Sequence, residues 1–194
     1  MITIRPLRIK DIPHLPSIRP TYQSPTVLAL IKDGHDLSIQ WRLVERRLTQ
    51  PFDKGTLYDF GPNLQLEIRG RFNQAEQTYQ RVAEDEGHLV GLLDMEYEAW
   101  NNTVFLWNLM IDLDYRQKGL GRRLWHRGLE YAAKVEARAI MIETQNTNVA
   151  ACRFYLRMGC QLAGFHEAHY ANDGADSETA KEFALFWAYF LAGH

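Results

Sequence analysis

Arg116-Gln117-Lys118-Gly119-Leu120-Gly121 puts two glycines and several cations into a turn that stands directly before an amphipathic stretch. Glycine lets backbone approach a ligand with no Cβ in the way, and the first N–H groups of a helix carry partial positive charge. Arg116, Lys118, Arg122 and Arg123 crowd this helix start. A cation there opposes the macrodipole at roughly 0.3–1 kcal/mol. An anionic ligand removes that conflict, so the turn reads as a phosphate seat.

The turn is preceded by Val104 to Ile111, a nearly all-apolar run of the kind buried on both faces of a sheet. It is followed by a helix from about Gly119 to Val135, with Leu120, Leu124, Tyr131 and Val135 on one stripe. Upstream, strands are predicted over Thr78 to Ala83 and His88 to Trp100, with turns at Asp85-Glu86-Gly87 and Asn101-Asn102. Downstream, Ala139 to Glu143 reads as a buried strand, Asn148 to Met158 as a helix stopped by Gly159, and Gln161 to Tyr170 and Phe183 to Leu191 as closing strands.

Met1 to Leu7 alternates like a strand, and Asp11-Ile12-Pro13 starts a helix. Leu37, Trp41, Val44 and Leu48 have helical spacing, which predicts an amphipathic helix. Pro51 to Gln74 reads as a long loop with a strand at Leu64 to Ile68. The pattern predicts an α/β (α+β) fold, a mixed sheet with helices on both faces. With 194 residues, one domain is expected, divided into an N-terminal part (1–76) and a core (77–194).

A net charge of −2 argues against a nucleic-acid partner. The N-terminus lacks a signal-peptide core, and the most apolar run is about half the roughly 20 residues a membrane span needs. Cys152 and Cys160 fit no zinc or redox spacing, so no metal is expected and a reducing cytoplasm is.

Which phosphate ligand the turn takes is open on composition alone. A mononucleotide loop needs G-x-x-x-x-G-K-[ST], and no such string occurs. A dinucleotide fold needs G-x-G-x-x-G directly after its strand; Leu124 stands where the third glycine should, and Asp112 to Lys118 intervene, although Glu143 could mimic the ribose-binding acid. A helix start without any ligand is a further reading.

Two motifs together carry a resemblance. Arg116-x-x-Gly119-x-Gly121 matches the [Q/R]-x-x-G-x-[G/A] signature of the GNAT superfamily of N-acetyltransferases, and Asn148-x-x-Ala151-x-x-Phe154-Tyr155-x-x-x-Gly159 resembles that family's second coenzyme-side helix. The chain is most similar to the streptothricin acetyltransferases, through Glu143 to Cys152, the Trp100-Asn101 turn and the tail from Glu178-Thr179-Ala180 into an aromatic strand with Trp187 and Tyr189.

The resemblance implies a GNAT-type, mostly antiparallel sheet, acetyl-CoA as co-substrate and a small-molecule amine as acceptor, in a chain compatible with a homodimer. It implies that Met110 and Ile111 bind the pantetheine arm through their backbone, that Arg116, Gln117, Lys118, Gly119, Leu120, Gly121 and Arg122 bind the pyrophosphate, and that Asn148 and Ala151 complete the coenzyme site. It implies Tyr155 as general acid, a phenol of pKa about 10 being a fair proton donor to a thiolate. A base is needed as well, since a primary amine of pKa about 10.4 is neutral only about once in several thousand molecules at pH 7. Glu96 and Glu98 are the candidates; with Asp94 they have period-two spacing and share a strand face whose field would draw a cationic amine. Trp107 stands where the streptothricin enzymes carry an acid, followed by Asn108; with Asp94 these are the acceptor-binding candidates. A non-catalytic acyl-CoA-binding module of the same fold is the alternative class.

Overall fold

The computed structural model describes residues 1–55, 60–172 and 181–191. In chain order the elements are β1 (Thr3–Pro6), a 3-10 helix (Ile9–Ser17), β2 (Gln23–His35), β3 (Ser38–Asp53), α1 (Pro62–Phe72), β4 (Thr78–Asp85), β5 (His88–Glu98), β6 (Thr103–Ile111), a short 3-10 turn (Leu113–Tyr115), α2 (Leu120–Lys134), β7 (Ala139–Gln145), α3 (Val149–Arg157), β8 (Gln161–His166) and β9 (Ala184–Phe190). The chain packs as two compact units. One comprises Met1–Thr21, Thr56–Ile142 and Ala188–His194, the other Tyr22–Gly55 and Glu143–Trp187.

In the first unit the strand order is β1-β4-β5-β6-β7, antiparallel except for the parallel β6–β7 pair. Successive residues of a strand face opposite ways, and β5 uses both sides. Leu92 joins Ile12, Leu15, Phe60 and Ile68 in one core cluster with α1 and the 3-10 helix, all at 1% exposure or less. Met95 points to the other side, where a Cβ on Gly128 of α2 would lie only 2.7 Å from its sulfur. Helices therefore cover both faces of β5, and the fold is the mixed, mostly antiparallel α/β arrangement that the sequence predicts. Strands β4 to β7 and helices α2 and α3 fall within a few residues of their expected bounds.

The second unit contains the hairpin of β2 and β3, and the order β7-β9-β8 with α3. Here the expected helix over residues 37–48 is instead β3. Ile39, Trp41 and Leu43 alternate as well as the helical set does, and the ladder to β2 (Leu30↔Leu43, Leu28↔Glu45) decides between the two periods. The hairpin turns at Asp36 (φ 53°) after Gly34 (φ 93°), where a Cβ would sit 2.0 Å from the Ser38 carbonyl oxygen. Only glycine fits there.

The expected strand at Leu64 to Ile68 is the middle of α1. Gly61 is its N-cap and Pro62 its first residue, a position where proline's missing N–H costs nothing. The helix expected at Asp11 is a 3-10 helix from Ile9, whose first turn is tied by the Asp11 carboxylate accepting from the Arg8 N–H at 2.8 Å. Strand β8 ends at His166 rather than Tyr170. Glu178-Thr179-Ala180 lies outside the described residues. Among the described residues no helix is long and apolar enough to cross a membrane.

Candidate active site

The glycine turn belongs to the first unit, and its framework is set by Asp112. This buried carboxylate follows β6 and accepts from the Asp114 N–H at 3.0 Å, starting the 3-10 turn. It also accepts from the Arg19 backbone N–H, Nε and Nη2 at 3.0, 3.0 and 2.8 Å. Burial alone would raise the Asp112 pKa; the Arg19 hydrogen bonds, the backbone N–H groups and the Arg19 charge outweigh it and hold it at about 2. The folded value lies below the ordinary one, so this stabilisation is present above about pH 4 and is lost as pH falls through about 2. Thermal melts from about pH 2 to pH 7 should therefore show Asp112→Asn less stable than wild type at neutral pH, with the gap closing at the acid end. A constant gap would deny Asp112 this role.

Arg116 turns inward: its Nε donates to the Ile111 carbonyl at 3.1 Å and its Nη2 to the Pro20 carbonyl at 2.6 Å. The residue that opens the signature thus clamps the loop. Gln117 (φ 59°) and Gly119 (φ 80°) are left-handed, Gly119 being the N-cap of α2. Among the described residues, its chain neighbours aside, no atom lies within 4 Å of where a Gly119 Cβ would be, so the space over this helix start is open to them. Gln117, Lys118 and Gly119 are exposed, Leu120 is anchored in the core at 1% exposure, and no acid stands in the first helical turn. Lys118 rests over the Tyr115 ring at 5.5 Å, while Arg123 donates to the Ile2 carbonyl at 3.0 Å. A helix N-terminus with backbone N–H groups facing open space and cations around it can hold a phosphate.

Strand β6 carries a β-bulge just upstream. Asn108 pairs with Asp94 and Leu106 with Met95, which leaves Trp107 as the extra residue. The parallel ladder to β7 runs from Thr103↔Ala139 to Leu106↔Ile142 and ends there. Beyond it, the edge of β6 that includes Met110 and Ile111 can accept an extended ligand by backbone hydrogen bonds.

The three acids of β5 share a face, as their spacing predicts, but differ in environment. Asp94 is fully buried and accepts from Arg71 Nε (2.9 Å), Gln80 Nε2 (2.9 Å) and Asn108 Nδ2 (3.1 Å). It is internal structure rather than a surface for an acceptor. Glu96 accepts from the Trp107 indole N–H at 2.8 Å, and Glu98 from the Asn101 side chain at 3.3 Å. Trp107 is 44% exposed, with the Arg71 guanidinium over its ring at 4.8 Å and Phe105 at 4.6 Å.

In the second unit, Asn148 caps α3, its Oδ1 accepting from the Ala151 N–H at 3.2 Å. Tyr155 is buried at 6% exposure, edge-on to Phe154 at 5.2 Å. Cys152 and Cys160 are buried free thiols, pushed up to about 11 and about 12 by burial, and so are poor nucleophiles at neutral pH. Among the described residues no cluster could hold a metal ion.

The same unit holds a polar network that the sequence reading passed over. Glu143 accepts a very short hydrogen bond from the Tyr170 hydroxyl, which in turn accepts from Gln145 Nε2 at 3.0 Å. Glu182 accepts from Lys54 at 2.5 Å and from the Thr147 hydroxyl at 2.6 Å, and Tyr22 bonds Thr147 at 2.8 Å. Burial raises the Glu143 pKa; Tyr170 and His169 lower it, Glu182 raises it, and Lys54 lowers it least. A carboxylate whose pKa is raised in this way is a better proton acceptor than an ordinary glutamate. Its sequence signal was only an acid at the end of a buried strand.

A family model described as "Acetyltransferase (GNAT) family" matches residues 40–160. Streptothricin acetyltransferase A of Bacillus subtilis (strain 168) is 28% identical over 149 residues, 77% of this chain and 79% of that protein. Among solved structures, nourseothricin acetyltransferase superposes with a TM-score of 0.78 at 23% identity, covering 97% of this chain and 98% of the other. An acetyl-coenzyme-A complex of a candidate streptothricin acetyltransferase from Bacillus anthracis strain Ames gives 0.75 at 24% identity, covering 98% and 100%. At these identities the two structures speak to the fold.

Proposed function

The chain belongs to the acetyltransferase (GNAT) family, and on that premise we propose that it moves the acetyl group of acetyl-CoA onto a primary amine of a small molecule, with streptothricin-type antibiotics the first acceptors to test. Both units are then parts of one N-acetyltransferase domain. The observation that carries the reading is the bulged end of β6 running into a glycine-capped helix N-terminus with no acid in its first turn. The pantetheine arm adds along Met110 and Ile111, and the pyrophosphate takes the backbone N–H groups from Gln117 to Arg122. Asn148 and Ala151 at the start of α3 supply further coenzyme contacts. Antibiotic acetylation is the activity after which the similar streptothricin and nourseothricin acetyltransferases are named; Trp107, in place of an acid, makes the acceptor the point to assay.

The chemistry is direct attack. The acceptor ammonium loses one proton to a carboxylate, and the neutral amine forms a C–N bond to the thioester carbonyl carbon. The C–S bond breaks, and Tyr155 protonates the departing thiolate. The amide nitrogen loses its second proton, which reprotonates the phenolate. For the first proton we assign Glu143, because burial raises its pKa and Tyr170 orients it. Glu98 is occupied in the Asn101 turn, and Glu96 holds the indole of Trp107. Glu96 is then an acceptor-side residue with Trp107. Two buried free thiols suit a reducing cytoplasm.

A thiol-release assay with acetyl-CoA and a panel of amines tests the reading. Turnover of other amines but not of streptothricin would remove the antibiotic and leave the class. Coenzyme binding in calorimetry without transfer to any amine would favour the non-catalytic module, for which the missing acid at Trp107 speaks. Tyr155→Phe is expected to lower kcat by about 10²-fold or more, with coenzyme affinity within a few-fold of wild type. Equal kcat would take Tyr155 out of the mechanism.

A further inference from the structure

The bulge at Trp107 is the local irregularity on which the proposed coenzyme edge depends. Strand β5 is regular there while β6 has one residue too many, so the pairs on either side of Trp107 must both be held or the extra residue can migrate along the strand. On one side the hold is apolar: Leu106 is 3% exposed and Met95 fully buried. On the other it is polar. Asn108, 7% exposed, donates to Asp94, its own cross-strand partner.

Asp94 is pinned from two further elements, by Gln80 of β4 and by Arg71 of α1. Gln80 Nε2 also donates to the Ile68 carbonyl of α1 at 3.1 Å. The Arg71 Nη2 lies 2.8 Å from the same Asp94 oxygen without a well-aligned hydrogen bond, so charge rather than a second directed bond holds that arm of the guanidinium. Its guanidinium carbon lies over the Trp107 ring, 4.8 Å from the ring centre. A one-residue slip of β6 would carry Asn108 away from Asp94 and Trp107 away from Arg71 together, leaving buried polar groups unpaired at a cost large enough to fix the register.

We infer that Arg71, Asp94 and Asn108 are positioning residues of the transferase: they lock the bulge at Trp107, and through it hold the Asn108–Ile111 edge of β6 in the geometry that an extended acyl-carrier arm requires. The inference rests on the coenzyme reading given above. None of the three has to touch the arm. They link α1 to the coenzyme-bearing strand, so a change in the helix is felt at the bulge.

The test is calorimetry with CoA alone, together with separate KM values for acetyl-CoA and for the amine, on Asn108→Ala, Arg71→Ala and Arg71→Lys. Misplacing a binding edge by a fraction of an ångström should weaken CoA binding about tenfold in Asn108→Ala and raise the acetyl-CoA KM in parallel, with the amine KM changed far less. Arg71→Lys, which keeps the charge opposite Asp94, should recover part of what Arg71→Ala loses. Melting curves identify any variant that has unfolded at the assay temperature. If the Arg71 variants fail there, Asn108→Ala, which leaves the ion pair intact, decides alone. Wild-type CoA affinity in folded Asn108→Ala overturns the positioning role and leaves the coenzyme reading standing. Failure of the wild-type protein to bind CoA overturns that reading, and this inference with it.

Discussion

Glu143→Gln is expected to lower kcat by about 10²–10³-fold while CoA affinity stays within about twofold, because it removes a proton acceptor and keeps the side chain's shape. The glutamine carbonyl can still accept from Tyr170, so the local network survives. Stability separates this loss from misfolding. A carboxyl whose folded pKa lies above its unfolded one is favoured by the fold only while protonated; that contribution is present at low pH and disappears as pH rises through the folded value. Above that value the ionised Glu143 is thus a burden on the fold, and there Glu143→Gln should melt at the wild-type temperature or above it, a cost of function common at active sites.

The pH profile gives a second check. Ionised Glu143 is the active form, so the acid limb of kcat/KM should lie above that of an ordinary glutamate. The groups that act on it are Tyr170, His169, Glu182 and Lys54. Tyr170→Phe removes a donor that lowers the Glu143 pKa and should move the limb to higher pH. Glu182→Gln removes a like charge and releases Lys54, so it should move the limb the other way. Shifts of the same sign in both variants, or an unchanged limb in Glu143→Gln, would return the base to Glu96.

What the sequence made legible is what short-range chemistry determines. Strands β4 to β6 are written in turn residues and apolar runs, and α2 and α3 in one stripe each. The Gly119 turn was readable because a left-handed helix cap has few other solutions. The N-terminal third was harder, since its pattern supports two periods at once. Ile39-Gln40-Trp41-Arg42-Leu43 alternates while Leu37, Trp41, Val44 and Leu48 repeat helically, and pairing with the other strand of the hairpin, from Gly34 back to Leu30, decides. Leu64, Leu66 and Ile68 alternate too, yet Leu66 is 65% exposed and Ile68 fully buried, because Gly61-Pro62 had already started a helix.

The site divides along the same line. The phosphate turn is contiguous in sequence, whereas the bulge exists only in the offset between two strands and Glu143 meets Tyr170 across 27 positions. Period-two spacing correctly put Asp94, Glu96 and Glu98 on one face. It could not tell that α1 would bury the first of them under an arginine.

That burial makes Asp94 the position where one substitution should do most damage to the fold. Asp94→Asn is nearly isosteric, yet it leaves the Arg71 cation buried at 9% exposure with no counter-charge and turns an amide N–H toward donors. Breaking a buried pair from one side typically costs about 3–5 kcal/mol, whereas replacing both members with apolar groups can come close to neutral. Denaturant titration should show that loss for Asp94→Asn and a similar one for Arg71→Met. The double variant Arg71→Met/Asp94→Leu should be distinctly more stable than the sum of the two single losses, the coupling expected of residues in contact. It should not return to wild type, because Gln80 and Asn108 would lose their shared acceptor. Additive losses would mean that the two charges do not depend on each other, and the bulge would then have to be held by packing around Leu106 and Met95 alone.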